Sequence, residues 1–246
     1  MATNNNWLKT NIRERLTNPE IDFKVFFDPQ PYEDMSFDHA TKSVAYMIAE
    51  KYPKLFIAYS GGMDSEFVFH LFRKLKIEFT PIIVSSTSNT LETAYAFHEC
   101  RKYDIKPIVV EKTDNEILKI FHDDIFLKLN GCGYDSTPML IAGRCAEENN
   151  GVVIIADHAY DGLHEWDFYN DVLIHPENSV YFGTYTYQLA KTMMVEYKGE
   201  DHQEFKHRLY DIPFRPKIKY HHSEEFFKTL YSFKRKIYPG TSVTIF

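Results

Sequence analysis

Short apolar runs rich in Ile and Val alternate along the middle of the chain with stretches where apolar residues return every three or four positions. The runs Leu55 to Tyr59, Thr80 to Ser85, Pro107 to Glu111 and Val152 to Ala156 predict strands covered on both faces, as in parallel sheets. Between them, helical spacing predicts helices at about Ser65 to Leu75, Leu91 to Tyr103, Asn115 to Leu129 and Pro138 to Asn149. The last has Ser136 or Thr137 as its cap, Pro138 in its first turn and Asn149-Asn150-Gly151 as its stop. Ahead of the first strand, Phe37, Ala40, Val44, Met47 and Ile48 share one face of a helix that Ser36 would cap, and Pro53 separates this helix from the strand. Such alternation implies a doubly wound, Rossmann-like α/β domain that binds its ligands at the carboxyl ends of the strands.

That domain is expected to span residues 36–165. Residues 1–35, with Pro19, Pro29 and Pro31, read as an irregular arm containing a short extended piece, Phe23 to Phe27. After Glu165 the periodicity weakens. Tyr185 to Tyr197 and Ser223 to Arg235 have helical spacing, so residues 166–246 read as a mainly helical C-terminal region that would meet a substrate or partner.

Composition adds limits. With 246 residues and 44% hydrophobic content the chain can bury a full core. Its apolar runs are too short to cross a bilayer, and Met1 to Asn6 lacks the basic and apolar regions of a signal peptide, so the expected compartment is the cytoplasm, without a membrane partner. Cys100, Cys132 and Cys145 are too scattered for a disulfide framework or a CxxC metal site. The net charge of −7 is uneven: residues 206–246 hold nine Lys/Arg against three Asp/Glu, or +6, and the remainder is −13. The tail interleaves Arg215, Lys217, Lys219 and Lys228 with Phe226, Phe227, Tyr231 and Phe233. This mixture could hold RNA through phosphates and stacking, but the aromatic spacing is helical, and an amphipathic helix packed on the domain is the favoured reading. The oligomeric state is open, a homo-oligomer included.

The chemistry concentrates where the first strand ends, in Ser60-Gly61-Gly62-Met63-Asp64-Ser65. Two glycines let backbone approach an anion with no Cβ in the way, and a following helix would add the positive end of its dipole. The residues resemble the SGGxDS signature of the PP-loop ATP pyrophosphatases, with every fixed position present. The resemblance covers about Leu55 to Glu165. It implies that ATP is the substrate, that Ser60, Gly61, Gly62, Met63, Asp64 and Ser65 hold its phosphates, and that Val84 and Ser85 neighbour the adenosine.

A second polar cluster, Asp157-His158-Ala159-Tyr160-Asp161-Gly162-Leu163-His164-Glu165, follows the fourth strand. It resembles the GHxxDDxxET segment of the tRNA lysidine synthetase and tRNA thiolation branch of that superfamily. His158, Asp161 and Glu165 match; Asp157, Gly162 and Trp166 depart from the pattern, and Gly162 removes one of two adjacent acids. The resemblance implies catalytic roles for Asp64, Ser65, His158 and Asp161, and Mg²⁺ held between Asp64 and Asp161. A zinc site from His158, Asp161 and His164 with Cys132 is the minor alternative.

Within the superfamily, the scattered cysteines argue against sulfur transfer and against the four-cysteine zinc site of the deazaguanine synthases. The chain is also too short to add a glutaminase domain. The reading that remains is an AMP-forming ligase that adenylates an acceptor oxygen for attack by a nitrogen nucleophile, forming an amide or amidine on an unidentified small-molecule acceptor. The rivals are a nucleotide-binding module without turnover, which Gly162 favours, and a tRNA- or nucleobase-modifying member of the superfamily.

Overall fold

The computed structural model describes residues 7–10, 14, 17–18, 20–21, 25–27, 30–123, 136–156, 178–200 and 202–211. Two short strands near the start, β1 (Leu8–Thr10) and β2 (Val25–Phe27), pair antiparallel. Helix α1 (Phe37–Lys51) follows, capped as expected by Ser36, whose Oγ accepts from the His39 N–H at 3.3 Å. It buries Phe37, Ala40, Val44 and Ile48, but Met47 is 46% exposed and so falls outside the face assigned to it from spacing.

From there the chain runs β3 (Leu55–Ala58), α2 (Met63–Lys74), β4 (Thr80–Ser85), α3 (Thr90–Lys102), β5 (Ile108–Glu111), α4 (Asp114–Asp123), α5 (Ser136–Glu148) and β6 (Val152–Ile155). It continues through β7 (Ser179–Tyr181), α6 (Tyr187–Glu196) and α7 (His202–Tyr210). The five strands β3 to β7 form one sheet in the order β5-β4-β3-β6-β7, and every pairing is parallel. This is the doubly wound parallel sheet expected from the alternation of runs.

Alternation along each strand sorts the core into two layers. Leu55, Ile57, Tyr59, Ile83, Ile154 and Val180 face one side, where α1, α2, α3, α6 and α7 supply Val44, Phe69, Cys100, Leu189 and Phe205. Phe56, Ile82, Val84, Val153, Ile155 and Tyr181 face the other, against Ile117 of α4 and Ile141, Ala142, Cys145 and Ala146 of α5. Continuous burial of both faces explains why the strand sequences read as unbroken apolar runs.

The sheet extends beyond the limit set from sequence at Glu165. Strand β7 is three buried residues, one of them Ser179, too short and too mixed to show a period of its own. The N-terminal arm is also tied in: Trp7 is 4% exposed, donates from Nε1 to the Thr184 carbonyl at 3.2 Å and meets Tyr187 edge-on. The helix expected at residues 223–235 lies outside the described residues, as does the expected continuation of α4 to Leu129. Among the described residues no helix is long and apolar enough to cross a membrane.

Helix α5 ends as its sequence indicates. Asn149 Nδ2 donates to the Cys145 carbonyl at 2.8 Å, Asn150 takes a φ of 56°, and the Gly151 N–H closes on Ala146 at 2.9 Å. A Cβ at Gly151 would stand 2.4 Å from Phe56 Cε2 and 2.8 Å from the Lys54 carbonyl, so this glycine is what lets the turn lie flat on β3. Gly151→Ala should destabilise the protein by about 1–3 kcal/mol, the usual cost of overpacking. Urea unfolding reads this as a lower midpoint, and an unchanged midpoint would contradict the packing described.

Candidate functional site

The strand order reverses between β3 and β6: from β3 the sheet grows first toward β4 and β5, then on the other side toward β6 and β7. Crossovers leave on opposite faces at that point and open a crevice at the carboxyl ends of the strands. Ser60-Gly61-Gly62 occupies this crevice, between the end of β3 and the start of α2. The loop is firmly seated. Tyr59 is 1% exposed, donates its N–H to the Ile82 carbonyl at 2.9 Å and stacks on Phe69 of α2 with centroids 4.7 Å apart.

The two glycines do different work. Gly61 is buried with a φ of 85°, and a Cβ there would stand 2.4 Å from the Glu92 carbonyl and 3.2 Å from the Ala96 nitrogen. Its missing side chain makes room for α3, not for an anion. Gly62 differs: among the described residues, the single atom a Cβ would meet within 4 Å is Ser60 Oγ, at 3.1 Å. Sequence alone gives both glycines the anion-facing role; the close approach of α3 adds a packing reason for Gly61, whose backbone N–H is not involved in it.

A hydroxyl network fixes the loop from within. The Gly62 N–H donates to Ser60 Oγ at 3.0 Å, Ser65 Oγ donates to the Gly62 carbonyl at 3.0 Å, and the two hydroxyls lie 3.2 Å apart. With the Ser65 proton on the carbonyl, Ser60 is the donor between them. Ser65 is 5% exposed and so stabilises the loop from below, whereas Ser60 is exposed at its rim. Glycine as the N-cap gives α2 no side-chain acceptor of its own for the first-turn N–H groups that begin at Met63. Met63 itself is 7% exposed, its side chain in the core.

Asp64 is half-buried and answered by the far end of the described chain. Lys206 Nζ donates to Oδ2 at 2.8 Å and Tyr210 Oη to Oδ1 at 2.7 Å. Both donors come from α7, one turn apart, and the side chains of Lys206 and Asp64 are 10% and 22% exposed. Tyr210 reaches the carboxylate because its ring stacks on Phe67 of α2 at 4.4 Å and 14°. Helix α7 is pinned in turn by Arg208, which pairs with Glu196 and Glu200. The Arg208 hydrogen bond is the main cause that holds the Glu200 carboxyl down at about 2. Sequence analysis missed Lys206 and Tyr210. Lys206 had been counted with the basic tail, and its contact spans 142 residues, beyond the reach of any local pattern.

Val84 and Ser85 end β4. Since Ala58 is level with Ile82, Val84 is level with Ser60 at the same edge of the sheet. The Val84 carbonyl accepts from Asn89 Nδ2 at 2.9 Å, and Asn89 Oδ1 takes the Ser86 N–H at 2.8 Å, so Asn89 organises the turn into α3. His158, Asp161, Glu165 and the zinc alternative built on His158, Asp161, His164 and Cys132 lie outside the described residues, as does the tail from residue 212. Of the nine cations in residues 206–246, Lys206 and Arg208 are engaged in ion pairs within the protein. Cys100 is buried in α3, where burial and then Glu99 push its thiol up to about 11, and burial likewise raises Cys145; neither is poised as a thiolate nucleophile.

Magnesium finds little at the loop among these residues. Asp64 is the carboxylate there, and an ammonium and a phenol already donate to its two oxygens, so the acid is neutralised from within the chain.

No family model matches the chain, and no curated protein sequence matches it. Among solved structures it is similar to NMN synthetase from Francisella tularensis, at 14% identity and a TM-score of 0.45, covering 87% of this chain and 99% of that one. It is also similar to the NH3-dependent NAD synthetase from Campylobacter jejuni, at 17% identity and a TM-score of 0.44, covering 87% and 100%. A third likeness is to the glutamine-dependent NAD+ synthetase from Acinetobacter baumannii, at 11% identity and a TM-score of 0.42, covering 90% of this chain and 49% of that one. At such identities and scores these likenesses carry no argument about activity, and no tRNA-modifying enzyme is among the three.

The Asp64–Lys206 contact yields a direct expectation. In a double-mutant cycle of Asp64→Asn and Lys206→Met followed by urea unfolding, the coupling should be about 1–3 kcal/mol, above the range of exposed pairs. Additive single-mutant effects would show that α7 does not hold the loop through this pair.

Proposed function

We propose that this protein is an ATP-using enzyme of the PP-loop type that cleaves ATP between its α and β phosphates. In this reading AMP passes to an acceptor oxygen, pyrophosphate leaves, and a nitrogen nucleophile then attacks the adenylate to form an amide or amidine. The observation that carries it is the position of Ser60-Gly61-Gly62-Met63-Asp64-Ser65: all six signature residues stand at the carboxyl end of β3, where the strand order reverses.

The chain's own groups account for most of what such a transfer needs. Little covalent work falls to the protein, and the demand is to align the reactants and to stabilise charge that develops on the phosphates. The first-turn N–H groups of α2, which begin at Met63 beside Gly62, supply fixed dipoles for that charge. Lys206 adds a cation 2.8 Å from Asp64, at the same loop. In this account Asp64 holds Lys206 and the loop in place, and Ser65 supports the Gly62 carbonyl from below. Val84 and Ser85, level with Ser60, are assigned to the adenosine. His158 and Asp161 follow β6, the strand paired to β3 on the other side, and are assigned to the acceptor side of the phosphate. Magnesium travelling with ATP would add charge neutralisation; no step is assigned to it.

Pyrophosphate exchange tests the reading. With an acceptor from a panel of carboxylates and amides, labelled pyrophosphate should enter ATP, and Asp64→Ala should lower the exchange at least about 100-fold, the scale set by removal of one transition-state donor. ATP binding without exchange on any acceptor would replace the enzyme with a nucleotide-binding module. No ATP binding at all would end both readings.

A further inference from the structure

One group of ionisable side chains, two of them buried and the third half-buried, plays no part in the reaction above. Glu66 and His70, one turn apart on α2, converge with Glu99 of α3, and one ligand atom from each lies within 4.8 Å of the others. His70 Nε2 stands 3.6 Å from Glu66 Oε1 and 3.4 Å from Glu99 Oε2. Neither contact has the geometry of a hydrogen bond, and Nε2 is a buried atom that makes none among the described residues. The two glutamate side chains are each 2% exposed, a place where carboxylates persist against positive charge.

The spacing has a simple chemical counterpart. Ligand atoms held about 2.1 Å from a tetrahedral zinc ion are separated from one another by about 3.4 Å along the edges of the tetrahedron. The imidazole is held in place by edge-on contacts with Phe69 at 5.3 Å and Tyr103 at 5.7 Å, which leaves its Nε2 turned toward both acids. Two further side chains reach the cluster from its rim. Lys102 Nζ is 3.5 Å from Glu99 Oε2 and His98 Nε2 is 4.0 Å from Oε1, on side chains 46% and 65% exposed. Arg73 stacks over the Tyr103 ring at 3.8 Å. One imidazole nitrogen with carboxylate oxygens suits a borderline divalent ion; magnesium and calcium prefer oxygen alone.

We propose that Glu66, His70 and Glu99 bind a divalent ion of the zinc class, through Glu66 Oε1, His70 Nε2 and Glu99 Oε2, with the fourth position taken by water. The place of the site in the fold gives the ion a structural task. Glu66 follows Ser65 directly in the first turn of α2, and α3 is the helix whose backbone meets Gly61. An ion across the two helices therefore clamps both walls of the loop without touching a nucleotide. This inference does not depend on the proposed reaction.

The test uses the full untagged chain, stripped with a chelator and titrated with Co²⁺, then with Zn²⁺. One equivalent of Co²⁺ should bind and develop the visible absorption of a low-coordinate site, Zn²⁺ should displace it, and the Tm should rise with either ion. Glu99→Gln and His70→Asn should each weaken binding by more than about 100-fold, the upper end of what second-shell losses cost, and should abolish the Tm rise. His98→Ala, at the rim, should leave affinity within twofold. Far-UV circular dichroism establishes that the variants fold. Should either fail to fold, the ¹⁵N resonance of His70 Nε2 in the wild-type chain decides, and it must shift on zinc addition. Absence of stoichiometric binding to the wild-type chain, unchanged binding in the folded variants, or an unmoved Nε2 resonance would each overturn the proposal.

Discussion

Reversal of strand order beside β3 constrains almost everything else in this molecule. Because β4 and β6 flank the same strand while their crossovers pass on opposite faces, neither crossover helix roofs the carboxyl end of β3, and the chain turns there at the crevice between them. A turn at such a point has to be short, hydrogen-bonded within itself and tolerant of a helix packed behind it. Ser60, Gly61, Gly62 and Ser65 meet these demands one by one, through two hydroxyls, a positive φ and a close approach to α3. The result is a loop whose buried side is a structural joint and whose exposed side presents Gly62, Ser60 and the start of a helix.

The joint is completed from the other end of the described chain. Asp64 stands at the second position of α2, where a carboxylate suits the helix dipole, yet half-burial would leave its charge costly without a partner. Lys206 and Tyr210 supply that partner, with Phe67 and Phe205 fixing the helix that carries them. One carboxylate thus couples the loop after β3 to α7, and any movement of α7 would be felt directly at the loop. Ion pairing of Arg208 with Glu196 and Glu200 fastens the opposite side of α7 to the end of α6.

What sequence could show follows from how local each cause is. The strands β3, β4 and β6 were legible because burial on both faces leaves continuous apolar runs, edge strand β5 because its short Ile-Val-Val run stands alone, and the caps at Ser36 and Asn150 because cap chemistry spans four residues. Strand β7 was not, since three residues that include Ser179 carry no period. Helix α7 was hidden by its composition: His202 to Tyr210 buries Phe205, Lys206 and Tyr210 among polar neighbours, and the Lys206 charge looked like part of a basic tail. The chemical type of the loop was legible as six residues in order. The different duties of its two glycines were not, because Glu92 and Ala96 come near Gly61 only once α3 has folded beside it. Likewise Glu66, His70 and Glu99 lie on two helices, and no spacing within one segment announces all three.

Hydrogen exchange of the backbone amides with and without ATP tests the central claim most directly, since it reads the loop itself and not a downstream product. If the nucleotide phosphates lie against the end of β3, ATP should slow exchange at Gly61, Met63 and the first turn of α2, with a smaller effect at Val84 and Ser85 and none on the buried strands. ATP binding accompanied by protection elsewhere and an unaltered loop, or no binding at millimolar ATP, would contradict the assignment of this loop as the phosphate site.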